Sequence, residues 1–284
     1  MESTSYKDPL LGMYYMATLP VRKQAAARRA AEGQTPVTIL FYHRVADTHP
    51  NAWTIGVDRF KSQMNWVREK FDFVPLSEAH RQIASGENER PLACLTFDDG
   101  YADNCDHAIP WLLEEQIPFT YFVATQHVLQ NRPFQHDLEA GVPLAVNRPE
   151  QLVAMAKAGV EVGAHTRTHA DLGQVSCEDE LYEEIVGSKR ELESIIGQAV
   201  RYFAFPYGLP QNMSSTAFRM AFRAGYWGVC SAYGGYNLPG NDAFHLQRIH
   251  GDPSWSRFRN WMTFDPRKVQ CEPLFDPGEY RLCF

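Results

Sequence analysis

Between residues 36 and 252 short apolar runs alternate with amphipathic stretches about seven times, and no other feature limits the fold as much. Runs rich in β-branched and aromatic residues at 36–42, 73–76, 92–97, 119–124, 160–164, 202–205, 226–230 and 245–249 predict strands. Apolar residues at helical spacing predict helices over 58–70, 77–86, 107–116, 149–158, 176–196 and 214–224, four of them stopped at Gly86, Gly159, Gly197 and Gly225. Strands separated by helices pair in parallel, and seven or eight such units favour closure into a barrel over an open sheet. A chain of 284 residues suits one α/β domain of that kind. Residues 126–148, rich in Pro and Asn, read as an irregular loop, and a loop that long is expected to line a site.

In a parallel barrel the C-terminal strand tips share one face. Three predicted tips carry polar groups: Asp98 and Asp99 before Gly100, His165-Thr166-Arg167-Thr168-His169, and Pro206-Tyr207-Gly208. Two adjacent carboxylates at a strand end are costly unless a cation sits beside them, although Asp-Asp-Gly alone also suits a helix cap. Two His four residues apart can face one way, and two imidazoles with one carboxylate make a three-ligand set with a position left for water. Such a set accepts Zn, Co, Ni, Fe or Mn.

The chain resembles the polysaccharide deacetylases, the NodB-homology group of carbohydrate esterases. Thr96-Phe97-Asp98-Asp99-Gly100 matches their first motif and His165-Thr166-Arg167-Thr168-His169 their second, over a region of roughly 36–252. The resemblance implies a distorted (β/α) barrel of seven or eight units. It implies hydrolysis of N-acetyl or O-acetyl groups on a glycan with one divalent ion, zinc being the expected metal. It further implies that Asp99, His165 and His169 bind the metal and that Asp98 is the general base. Tyr207 would offer its backbone N–H to the oxyanion and its ring to the acetyl pocket, beside Pro206. The chain departs from the pattern in three places. Ala204 stands where relatives often have an Arg that holds the base; Arg167 or Arg248 would replace it, Arg248 being preferred because it follows a late strand. Residues 228–236 show no Asp-Trp pair. His250 is the nearest candidate for the general acid, with His43 and His136 as alternatives, and His43 and Arg248 are expected beside the substrate.

A net charge of −7 gives no drive toward nucleic acid. Cys94, Cys105, Cys177, Cys230, Cys271 and Cys283 are scattered without a CxxC pair, which fits a reducing compartment rather than a disulfide scaffold. No run reaches transmembrane length and no secretory signal is read, so a cytoplasmic location is expected. Residues 1–35 form an extension, 36–271 the catalytic domain and 272–284 a tail. The extension pairs an apolar segment at 10–19, including Tyr14 and Tyr15, with basic residues from Arg22 to Arg29. A helix covering one end of the domain is its favoured reading, and contact with a membrane surface the alternative. Trp53, Tyr101, Tyr233, Tyr236 and Trp255 would suit stacking on sugar rings. A non-sugar amide, linear or cyclic, is the alternative substrate, and a non-catalytic glycan-binding module the reading from another class. The sequence does not set the oligomeric state.

Overall fold

The computed structural model describes residues 7–269 and 275–281. Cys271, Cys283 and residues 272–274 and 282–284 of the tail lie outside the described residues, as do residues 1–6. Eight parallel strands form the centre: β1 (Val37–Tyr42), β2 (Leu92–Phe97), β3 (Phe119–Val123), β4 (Glu161–Ala164), β5 (Tyr202–Ala204), β6 (Gly228–Cys230), β7 (His245–Leu246) and β8 (Ile249–His250). Their spatial order is β7-β6-β5-β4-β3-β2-β1-β8. A short strand, Asp72–Phe73, runs along the start of β2. The helices are α1 (Lys7–Ala31), α2 (Val57–Arg68), α3 (Leu76–Ser85), α4 (Ala108–Glu114), α5 (Thr125–Gln130), α6 (Gln135–Glu139), α7 (Pro149–Lys157), α8 (Glu178–Tyr182), α9 (Ser188–Ile196), α10 (Ser215–Arg223), α11 (Trp255–Met262) and α12 (Pro277–Arg281). This is a distorted (β/α) barrel in a single domain.

Side-chain alternation along the strands divides the apolar residues into two cores. Val37, Ile39, Cys94, Phe122, Tyr202 and Leu246 fill the interior together with Leu76, Ala79 and Ile83 of α3. Leu40, Leu95, Phe97, Tyr121, Val162 and Phe203 face outward and pack under the surrounding helices. The strands are buried on both sides and therefore read as continuous apolar runs.

The sheet curls until its two edges are joined through only Gln247 and Arg248. The expected single strand at 245–249 is thus two short strands, because the chain passes there from one edge of the sheet to the other. Asn237 holds this seam. Its backbone exchanges hydrogen bonds with Val37 (2.8 and 3.3 Å), while its side chain accepts from Gln247 N and donates to Gln247 O, both at 2.8 Å.

Other expectations need correcting. The irregular stretch 126–148 contains most of α5 and all of α6. The helix expected over 176–196 is broken by a π turn, Glu183–Gly187. α1 packs on α11, and no helix among the described residues is long and apolar enough to cross a membrane. Tyr101 and Tyr236 are buried, so they are not surface platforms for sugars. Each ring is apolar enough for the interior once its hydroxyl finds a partner: Tyr101 donates to Asp137 Oδ2 (3.0 Å) and Tyr236 to Trp261 O (2.9 Å).

Candidate active site

The tip of β2 continues the ladder for one residue, with Asp98 N donating to Tyr42 O at 2.9 Å. Asp99 (φ +73°) and Gly100 (φ +88°) then adopt left-handed backbone, and the chain turns away from the sheet. A Cβ on Gly100 would also meet Val123 at 3.0 Å. Asp98 and Asp99 end up with different partners.

Asp98 is held by Arg248 in a two-pronged pair, Nη1–Oδ1 2.7 Å and Nη2–Oδ2 2.8 Å, with both side chains essentially buried. The guanidinium also donates to Thr96 Oγ1 (3.1 Å) and Ser231 O (2.9 Å), and lies over the rings of Phe41 and Phe122. Burial alone would push the Asp98 carboxyl up; the charge of Arg248, followed by that of His165, overrides burial and holds it below the usual range. Arg248, not Arg167, therefore stands beside Asp98. Being fully buried, it is placed to position that carboxylate rather than to touch substrate, which corrects its expected place at the substrate. Arg167 points to Glu191 (2.8 Å) and Glu183 (3.3 Å) on the outer helices.

Asp99 Oδ1 lies 3.4 Å from His165 Nε2 and 3.2 Å from His169 Nε2, and the three ligand atoms fall within 4.8 Å of one another. That oxygen is buried and without a hydrogen-bond partner. His165 Nδ1 faces Ala204 O at 2.8 Å. A carbonyl only accepts, so Nδ1 carries the hydrogen, and in the neutral ring the Nε2 lone pair points toward Asp99. A lone pair and a carboxylate oxygen at this distance repel unless positive charge lies between them. Burial would raise the Asp99 carboxyl, but His169 and then His165 hold it well below the usual range. Burial would lower His165, yet Asp98 and Asp99 raise it overall; at His169 burial prevails and the ring is lowered. The orphaned oxygen and the two-imidazole donor set fit a divalent cation.

The loop carrying both His is strained at Thr166 (φ +62°) and His169 (φ +61°). It is clamped from the π turn by Glu184, which accepts from Arg167 N (2.8 Å), Thr168 N (2.9 Å) and Thr168 Oγ1 (2.7 Å). Nothing in the sequence motif signals Glu184, because it lies in a separate helical segment and is brought there only by folding.

A cavity of about 310 Å³ opens above these groups. Its other walls include His43, His136, His250, Trp53, Leu209 and Ala232. Tyr207 (φ +59°) stands at the rim, 56 % exposed, with its ring edge-on to His169 at 5.2 Å. Pro206 is buried behind it. Gly208 must stay free of a side chain, since a Cβ there would meet Ala232 N at 2.7 Å. His250 lies against Phe41 (5.1 Å) and Trp53 (6.1 Å) and is pushed down to about 4 by burial, then by His43. Burial also lowers His43, whose buried Nδ1 has no partner. His136 is tied to Tyr101 Oη at 2.9 Å. Leu209, Ala232 and the apolar floor of Phe41 and Phe205 escaped sequence reasoning, because apolar residues at strand ends look like any other core.

With this geometry in view, the family model described as polysaccharide deacetylase matches residues 85–228, slightly more than half of the chain. Over 162 residues the chain is 30% identical to a chitooligosaccharide deacetylase of Bradyrhizobium sp. (strain ANU 289); the match covers 56% of this chain and 65% of that relative's length. IcaB from Ammonifex degensii has a similar structure, with 26% identity and a TM-score of 0.67, over 81% of this chain and 97% of that one. The deacetylase PplD of Streptococcus pyogenes, solved in complex with acetate, also gives 26% identity and a TM-score of 0.67, over 82% and 99% of the two chains.

Proposed function

The chain belongs to the polysaccharide deacetylase family, and we propose that it is a metal-dependent hydrolase that removes N-acetyl or O-acetyl groups from an amino-sugar glycan. One observation carries the reading: Asp99 Oδ1 converges with two imidazole nitrogens while the neighbouring Asp98 is held apart by Arg248. Asp99, His165 and His169 would hold one divalent ion, with zinc first and Co, Ni, Fe or Mn as alternatives. The bound ion supplies Lewis acidity toward the acyl carbonyl and toward water.

The remaining work falls to the chain itself. Asp98, kept ionised beside Arg248, takes the proton of the attacking water. The backbone N–H of Tyr207 donates to the developing oxyanion, and its ring walls the acetyl group. His250 returns a proton to the leaving amine. Its ring is neutral in the free cavity, so the proton it gives the amine as the C–N bond breaks is the one Asp98 took from water and passed on. His43 lies beside it as a substrate contact, and Trp53, 44 % exposed, offers a face to a sugar ring. The resemblance to a chitooligosaccharide deacetylase and to an acetate-bound deacetylase supports an acetylated amino sugar as substrate.

The test is acetate release from chitin oligosaccharides, with chelator, with zinc restored, and with Asp98→Asn. Release should stop on chelation and return with metal. Asp98→Asn should lower the rate by roughly a hundredfold or more, as for loss of a general base. Protein shown to bind zinc at Asp99, His165 and His169 that frees no acetate from any acetylated glycan would instead be a glycan-binding module.

A further inference from the structure

Helix α1 is held rigidly by one face. Arg22, essentially buried, donates from Nη1 to Asn260 O (2.9 Å) and Thr263 O (3.1 Å), and pairs with Asp265 at 3.0 Å. Tyr14 Oη donates to Asp265 Oδ2 at 3.0 Å. The opposite face is uncovered among the described residues. Leu10, Met13, Met16 and Val21 are 58, 61, 65 and 62 % exposed. They form a stripe roughly 17 Å long at the helical rise. Lys23 and Arg28 are exposed in the turns that follow. The helix that carries the stripe is basic in an otherwise acidic protein. Residues 8–32 carry four Lys and Arg against two Asp and Glu, a net +2 in a chain of net −7.

We propose that this face seats the protein on an anionic membrane surface. The four apolar side chains enter the boundary between headgroups and acyl chains, while Lys23 and Arg28, the latter also paired with Glu32 at 2.9 Å, meet lipid phosphates. A second copy of the chain is the less suitable occupant. A two-fold contact would press the same net positive face against itself. The stripe lies on a helix already fixed to the domain, so docking needs no new folding. The inference does not depend on the hydrolase reading.

Vesicle co-sedimentation of the full chain tests it, using phosphatidylcholine vesicles with and without one quarter phosphatidylglycerol, at low and high salt. The protein should pellet with the anionic vesicles at low salt and leave them as salt rises. Each basic residue near the surface is worth about a factor of five in binding. Lys23→Glu/Arg28→Glu should therefore weaken binding about 25-fold or more, and Met13→Glu/Met16→Glu should abolish it. All four side chains are exposed, so both variants should unfold with the wild-type midpoint. Wild-type protein that stays in the supernatant, or equal binding by all forms, would overturn the proposal. So would self-association that Met13→Glu/Met16→Glu removes without any vesicle binding, which would assign the stripe to a second copy.

Discussion

Arg248→Met removes the cation that pairs with Asp98 and leaves a nearly buried carboxylate, 2 % exposed, at the base of the cavity. Four hydrogen bonds disappear: two to Asp98, one to Thr96 Oγ1 and one to Ser231 O. The methionine fills the channel between Phe41 and Phe122, so little of the cost is packing. Breaking a buried pair from one side costs about 3–5 kcal/mol, because the surviving charge keeps its desolvation penalty. Removing both charges should cost much less than the sum of the single changes. The double variant Asp98→Asn/Arg248→Met should therefore recover roughly 2–3 kcal/mol relative to additivity. Urea unfolding of the wild type, the two single variants and the double variant at neutral pH closes the cycle. Arg248→Lys supplies a charge without the planar fork and should fall between wild type and Arg248→Met. If Arg248→Met costs under about 1 kcal/mol and the two changes add, Arg248 is not what makes a charged Asp98 tolerable at the base of the cavity.

Two further predictions concern the histidine loop and the barrel seam. Glu184→Ala should lower cobalt affinity, read from visible absorption on titration, by roughly 10–100-fold, the usual effect of losing a group that orients ligands. Glu184→Gln, which still offers a carbonyl oxygen to Arg167 N and Thr168 N, should lose less; equal and unchanged affinities would show that the loop holds itself. His245 is buried, bonded through Nε2 to Tyr233 Oη and Ser231 Oγ at 3.1 Å, and pushed down to about 4 by burial. The unfolded ring takes a proton near 6.5 and the folded one does not, so stability is full above 6.5 and falls as pH drops toward 4. Between pH 7 and 5 this ring accounts for a loss of about 2 kcal/mol. His245→Phe, which keeps a ring against Phe218, should remove that share while His250 keeps its own. Urea midpoints that fall equally with pH in both proteins would refute it.

Periodicity exposed most of the scaffold in the sequence because its strands are buried on both faces and its helices on one. The failures share one cause. The split at 245–249 arises because the sheet's two edges meet there, and no local pattern encodes where an edge lies. Tyr101 and Tyr236 look like surface aromatics until their hydroxyls find Asp137 and the backbone of Trp261. At the site, Asp98, Asp99, His165 and His169 stood out because polar residues at the ends of apolar strands need a reason. Arg248 could be singled out only because Ala204 left a charge to be balanced. Glu184 could not, since its partners lie 16 and 17 residues away and meet it only across a π turn.

The backbone makes a separate case for function at this end of the barrel. Among the described residues seven non-glycine residues have left-handed φ, and four of them, Asp99, Thr166, His169 and Tyr207, belong to the three strand tips around one cavity. Each such residue costs about 1–3 kcal/mol and persists only where its surroundings over-determine it. The surroundings here do so. Gly100 continues the turn after Asp99, Glu184 clamps the loop between Thr166 and His169, and Gly208 fits against Ala232 beside Tyr207. Closing the barrel requires none of this, because the seam is held by Asn237 and the interior by apolar side chains. Strain that brings no structural return, gathered where two buried carboxylates and two imidazoles also converge, is what a site shaped to hold a cation and a reacting group would require.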